Sequence, residues 1–190
     1  RGGAVPRAAE GVGVRRAPWL VQQKGRRFFA WLHFYDAHTP YDPPEPFKSE
    51  YAGRPYNGEI AFVDSQLGRI VDYLARQGLL DKTVIAVIGD HGESLDEHGE
   101  ASHGFFVYES TTRVPFVIRA PFDRLAGRRV VDPVRAGDLT PSVLAMLGVA
   151  VPKGLSGASL TPLLTGPVRG LGPAPSSAQR HSSKSASPSP

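Results

Sequence analysis

Cysteine is absent from the 190 residues. That excludes disulfide staples and any thiolate chemistry, nucleophilic or metal-binding, and leaves the redox compartment open. Long apolar runs are missing as well: none approaches the ~18 residues needed to cross a bilayer. The opening residues lack the apolar middle region of a secretory signal. Charge of one sign is scarce. The formal excess of +4 comes from scattered arginines, with doublets at Arg15-Arg16, Arg26-Arg27 and Arg128-Arg129. No basic stretch alternates with aromatics, so nucleic acid is not an expected partner, whereas weak attraction to anionic substrates is. No internal repeat is visible. The apolar share of 41% is ordinary, enough for a buried core and against wholesale disorder.

Three regions follow from composition. Residues 1–26, rich in Gly, Ala and Arg, read as an irregular lead-in. Residues 27–166 carry the periodic segments of one folded region. Residues 167–190 turn to Gly, Ser and Pro and lack the apolar content to repay ordering entropy, so a disordered tail is expected there. Because the chain opens on arginine and not methionine, its true start is expected upstream.

Within the folded region, Phe28-Phe-Ala-Trp-Leu-His-Phe34 reads as a buried strand. It runs into a loop that prolines 40, 43, 44 and 46 keep out of any regular ladder. From 56 to 77, Ile60, Val63, Leu67, Ile70, Val71 and Leu74 recur at helical spacing, with Gly78 as the stop. The run Val84-Ile-Ala-Val-Ile88 reads as a strand buried on both faces. Strand, long helix, strand is the grammar of a parallel sheet with right-handed crossovers. A further strand is expected over 114–119, its early Pro115 marking a first position or an edge. A short helix follows over 138–148, with Asp138 or Thr140 as cap, Pro141 in the first turn and Gly148 at the end.

The richest segment is Val84-Ile-Ala-Val-Ile-Gly-Asp-His-Gly-Glu93. In open α/β sheets, ligands collect beyond the carboxyl ends of strands. Asp90 offers a hard anionic oxygen there and His91 an imidazole nitrogen, a mixed pair suited to Mn²⁺ or Zn²⁺ somewhat better than to Ca²⁺. The bland alternative is a polar turn that only caps a strand. His38 follows the aromatic run and either donates a proton or holds an anionic oxygen, or is merely hydrogen-bonded to backbone; both stay open. Of His98 and His103, one is expected to face an anion, with Asp96, Glu97 and Glu100 as solvated surface. His33 reads as a satisfied core histidine and His181 as inert. Arg113 reads as a buried guanidinium that pairs with Glu109 or approaches an anion, with the pairing favoured.

Taken in order, these pieces resemble the sulfatase family of the alkaline-phosphatase-like hydrolases. The segments that carry the resemblance are Phe-Tyr-Asp-Ala-His-Thr-Pro-Tyr41, the helix after Tyr56, Val-Ile-Gly-Asp-His-Gly-Glu93 and Glu97-His-Gly99. Tyr108-Glu-Ser-Thr-Thr-Arg-Val-Pro115, Asp138-Leu-Thr-Pro-Ser-Val-Leu144 and Gly157-Ala-Ser-Leu-Thr-Pro-Leu-Leu164 complete them. The resemblance implies an α/β fold with a mixed, mostly parallel sheet flanked by helices and incomplete at its amino end. It implies a hydrolase of sulfate esters, often exported in that family, with one divalent metal, Ca²⁺ as in many sulfatases or Mn²⁺. Asp90 and His91 match metal ligands, His38 matches a catalytic and substrate-contacting histidine, and His103 is the nearest candidate here for the place where many relatives have an anion-contacting lysine. The family's nucleophile motif, C/S-x-P-x-R, has no counterpart in this sequence. The resemblance therefore implies a carboxyl-terminal part of such an enzyme, inactive by itself. Phosphate-ester chemistry of the same superfamily (a phosphodiesterase, or a phosphoglycerol or phosphoethanolamine transferase) and a non-catalytic anion-binding remnant are the alternatives.

Overall fold

The computed structural model describes residues 25–121 and 126–166. The expected tail, His181 and nearly all of the expected lead-in lie outside the described residues. The described residues fall into two compact units, one of 25–85 with 89–115, the other of 86–88 with 116–121 and 126–166.

In the first unit a short helix α1, Phe47–Glu50, packs on the 22-residue helix α2, Pro55–Arg76. Pro55 suits the first helical position, where its missing N–H would have had no intrahelical partner. At the other end Leu79 N–H reaches the Leu74 carbonyl and Gly78 N–H the Ala75 carbonyl, with Gly78 at φ +65°. This is a Schellman stop, and the left-handed residue it needs is the glycine expected from the sequence. The buried face differs from the expected apolar stripe. Glu59, Phe62, Gln66 and Leu74 are buried, whereas Ile60 is exposed. The reason is what the helix supports. Glu59 Oε1 accepts the Asp42 N–H at 2.8 Å, and a Cβ at Gly58 would stand 2.7 Å from Pro43. Polar and small residues on that face seat the proline-rich loop, and with it His38.

The run 28–34 is not a buried strand. It joins no ladder among the described residues, and Phe29 and Trp31 are 77% and 71% exposed. Apolar content makes a strand only where neighbours pair its backbone and cover its faces. His33, expected in a core, is exposed for the same reason. After Gly89, the turn through Gly92 packs against a one-turn helix α3, Glu109–Thr112. Arg113 is exposed and not buried. Its tie to Glu109 is the backbone N–H on the Glu109 carbonyl, 2.9 Å.

The sheet seen among the described residues has two strands, β1 Ile85–Ile88 and β2 Phe116–Arg119, paired antiparallel. Gly89 N–H donates to the Pro115 carbonyl where β1 ends and β2 begins. Pro115, with no N–H to give, stands just before the strand, which starts at Phe116 and not at 114 as expected. All four β1 residues are half-buried, short of the two-sided burial expected. The remaining second unit contains helices α4, Leu139–Met146, and α5, Thr161–Thr165. Gly148 at φ +68° closes α4 with the same two-bond stop as α2. Asp138 stands at the N-cap position of α4 without bonding that helix by its side chain. Its carboxylate instead accepts Arg135 N–H and Ala158 N–H, each at 2.8 Å, fastening the segment before α5 to the segment before α4. No helix of the described residues is long and apolar enough to cross a membrane.

Candidate active site

The first unit gathers imidazoles from three separate stretches of chain. His38 comes from the proline-rich loop, His91 from the turn after β1, and His103 from the glycine-flanked loop before α3. Ring centroids of His91 and His103 stand 4.0 Å apart, and those of His38 and His103 5.7 Å apart, edge to face. Tyr35 stacks on His38 at 4.6 Å. His98 does not join them; it stacks on Tyr108 at 4.1 Å. Of the two histidines left open by the sequence, His103 is the one in the cluster.

Each of the three rings has its Nδ1 committed. In His38 it lies 2.8 Å from the Thr39 carbonyl oxygen, in His91 2.8 Å from the Gly92 carbonyl oxygen. A carbonyl oxygen only accepts, so both Nδ1 atoms carry the proton. In His103, Nδ1 lies 3.0 Å from Glu93 Oε1, a carboxylate oxygen that likewise accepts. With Nδ1–H so engaged, Nε2 is the nitrogen left to each ring for a ligand or a transferable proton.

Asp90 and His91 are adjacent on the exposed turn. Asp90 Oδ1 accepts the His91 N–H at 3.0 Å, and Oδ2 stands 3.9 Å from His91 Nε2. An anionic oxygen and a nitrogen lone pair facing one space, with the other ring nitrogen bonded to a carbonyl, is the donor chemistry of half a cation site. Two donors at ~2.2 Å from one ion stand at most about 4.4 Å apart, so the spacing fits. No group of three or more His, Asp or Glu side chains suited to a metal occurs among the described residues.

Glu93 and Tyr41 belong to the site and were not singled out from the sequence. The Glu93 side chain is 4% exposed. Burial by itself raises its pKa, but hydrogen bonding from His103 and interactions with Tyr41 and Ser102 outweigh it and hold the carboxyl below the ordinary glutamate value. The buried Tyr41 hydroxyl faces the same carboxylate outside ordinary hydrogen-bond geometry. Its pKa is raised, first by burial and then by the nearby negative charge. No periodicity links positions 93 and 103 across a loop, so only the folded chain reveals the pair. Glu100, expected at the surface, is buried; its Oε1 accepts the N–H groups of Phe105 and Phe106 at 3.0 and 3.1 Å. A loop with so few apolar contacts needs such an internal acceptor to satisfy its backbone. Asp96 and Glu97 are exposed, as expected. An open depression of about 270 Å³ adjoins the cluster, lined by His91, His103, Phe105, Phe106, Val107 and Thr112 among others. Imidazoles at one wall and apolar side chains at another can receive an anionic group and the organic part attached to it.

Comparison with known proteins gives the fold as alkaline-phosphatase-like. The model of the sulfatase family matches residues 15–149, and the chain belongs to that family. It is 38% identical over 111 residues to the N-acetylglucosamine-6-O-sulfatase of Bacteroides thetaiotaomicron, covering 58% of this chain and 20% of that protein. Among solved structures it is similar to the yidJ protein of Bacteroides fragilis, with TM-score 0.75 and 24% identity over 85% of this chain and 42% of that one. It is also similar to a phosphonate monoester hydrolase of Silicibacter pomeroyi, with TM-score 0.72 and 24% identity over 84% and 42%. These two likenesses are of fold. The chain thus spans about a fifth of the curated relative and under half of the solved chains. Sulfatase family members are typically dependent on a divalent metal.

Proposed function

We propose that this chain is part of a metal-dependent sulfuric ester hydrolase. In this reading, Asp90 and His91 hold one divalent ion, Ca²⁺ or Mn²⁺, and His38 and His103 contact the anionic group. The ion, when bound, supplies positive charge to the sulfuryl oxygens. The observation that carries the reading is the convergence of His38, His91 and His103, each with Nδ1 hydrogen-bonded to a carbonyl or carboxylate oxygen. His38, when protonated on both ring nitrogens, gives its Nε2 proton to the departing ester oxygen as the S–O bond breaks. After that transfer the ring is left protonated on Nδ1 alone, the form that its bond to the Thr39 carbonyl holds. No residue of this chain stands in a C/S-x-P-x-R motif, so the nucleophile is assigned elsewhere and no turnover is expected from these 190 residues by themselves.

Residues 27–166 are accordingly read as the carboxyl-terminal part of the catalytic domain. Fourteen large apolar side chains are exposed among the described residues, against two that are buried. Phe105, Phe106 and Val107 form a consecutive exposed apolar run, a surface that supports the reading of a part.

The test uses the full-length enzyme carrying this segment. His38→Ala should lower kcat on phenyl sulfate by ~10²-fold or more, and by less on a nitrophenyl sulfate, whose leaving oxygen needs no proton. Equal losses on both esters would remove proton delivery by His38. Faster turnover of aryl phosphates than of aryl sulfates would favour the phosphate-ester reading.

A further inference from the structure

We propose that Glu93 is the positioning residue of His103, holding that imidazole so that Nε2, and not Nδ1, faces the bound anion. The assignment rests on the functional reading of His103 as an anion contact. Its own basis is geometric. Glu93 Oε1 stands 3.0 Å from His103 Nδ1, and the carboxylate is buried. An ionised carboxylate only accepts, so the bond specifies which ring nitrogen carries the inward proton. Ser102 Oγ lies 3.5 Å from the same nitrogen, at the limit of a hydrogen bond, which leaves Glu93 as its main partner. When the ring is charged, Nδ1–H stays on Glu93 and Nε2–H is the donor presented outward.

Both partners are anchored from behind. Gly92, next to Glu93, donates its N–H to the Thr111 carbonyl at 2.8 Å, and a Cβ there would run into the Ser110 carbonyl oxygen. The backbone beyond His103 is held by Glu100, which accepts the Phe105 and Phe106 N–H groups. The carboxylate and the imidazole are therefore delivered to each other by two independently fixed stretches, ten residues apart. Exposed salt bridges made by long flexible side chains have no such framing. His103 in turn touches both other rings, at 4.0 and 5.7 Å, so its orientation bears on the whole cluster.

Nitrogen-15 NMR of the imidazoles in the 190-residue chain tests the assignment directly. Unsubstituted protein should show His103 protonated on Nδ1, and finding the Nε2–H tautomer instead would overturn the proposal with no variant needed. Glu93→Ala should release the ring to mixed tautomers, whereas Glu93→Gln, whose amide oxygen still accepts, should keep Nδ1–H. Titration with inorganic sulfate supplies the functional arm. Affinity should fall about 10-fold in Glu93→Ala and change less than about 2-fold in Glu93→Gln, in line with the ~10–100-fold cost of removing an orienting carboxylate. Equal tautomer populations in all three proteins would refute the role of Glu93. Failure of the unsubstituted chain to bind sulfate would count against His103 as an anion contact, with the tautomer result still deciding what Glu93 does.

Discussion

Replacing Gly92 by alanine perturbs the site from its backbone. The added carbon would meet the Ser110 carbonyl oxygen well inside van der Waals contact, with the Thr111 Cα at 3.2 Å. Both neighbours are main-chain atoms of the one-turn helix α3, which cannot swing aside as the end of a flexible side chain could. Overpacking of this kind costs ~1–3 kcal/mol. The displaced turn would also lose the Gly92 N–H bond to the Thr111 carbonyl, about 1 kcal/mol more. A loss of roughly 2–4 kcal/mol follows, and for a unit of this size ~4–8 °C per kcal/mol gives a fall in Tm of roughly 10–30 °C. Circular dichroism melts of the two proteins provide the assay. Gly99→Ala is the control: Gly99 has φ +71° and open space around it, so only left-handed backbone strain of ~1–2 kcal/mol is added. A Gly92→Ala protein melting within about 2 °C of the parent, or Gly99→Ala proving the more damaging change, would refute the close packing of this turn on α3.

Ser142 is fully buried; its hydroxyl donates to the Asp138 carbonyl and accepts the Leu160 N–H at 2.8 Å, so Ser142→Ala should cost ~1–3 kcal/mol in urea unfolding by leaving a buried N–H unmatched. Gly68 lies inside α2, and a Cβ added there would meet nothing within 4 Å, so Gly68→Ala should raise stability by ~0.5–1 kcal/mol; a lower Tm would contradict the open surroundings. The Asp138 carboxyl is held below its ordinary value by the Ala158 N–H, then by Arg135. Its folded pKa is thus below the unfolded one of ~3.9. The stabilisation is present above that pH and lost as pH falls through the folded value. Asp138→Asn should flatten this acid limb of a Tm-against-pH curve, and an unchanged limb would remove Asp138 as its source.

How much of the molecule was legible in the chain depends on the range of the forces involved. Helix α2 was, within a residue at each end, because apolar spacing and a left-handed glycine are local properties of consecutive residues. The stop at Gly148 was legible for the same reason. The buried face of α2 was not, because Glu59 and Gln66 owe their burial to what packs on them. Nor was the state of 28–34, since a run of aromatics specifies a strand only together with partners that supply hydrogen bonds and cover.

The candidate site divides along the same line. Asp90, His91 and His38 could be named from residue chemistry and neighbouring signals, since each follows an apolar run in a loop rich in glycine or proline. Sequence by itself established the absence of thiol chemistry, the family resemblance and the donors available for a cation and an anion. Only the tertiary structure brought His103 beside His38 and His91, set His98 on Tyr108, and paired Glu93 with His103. That pairing is made by two loops fixed through separate backbone bonds, a distance in space that separation along the chain does not encode.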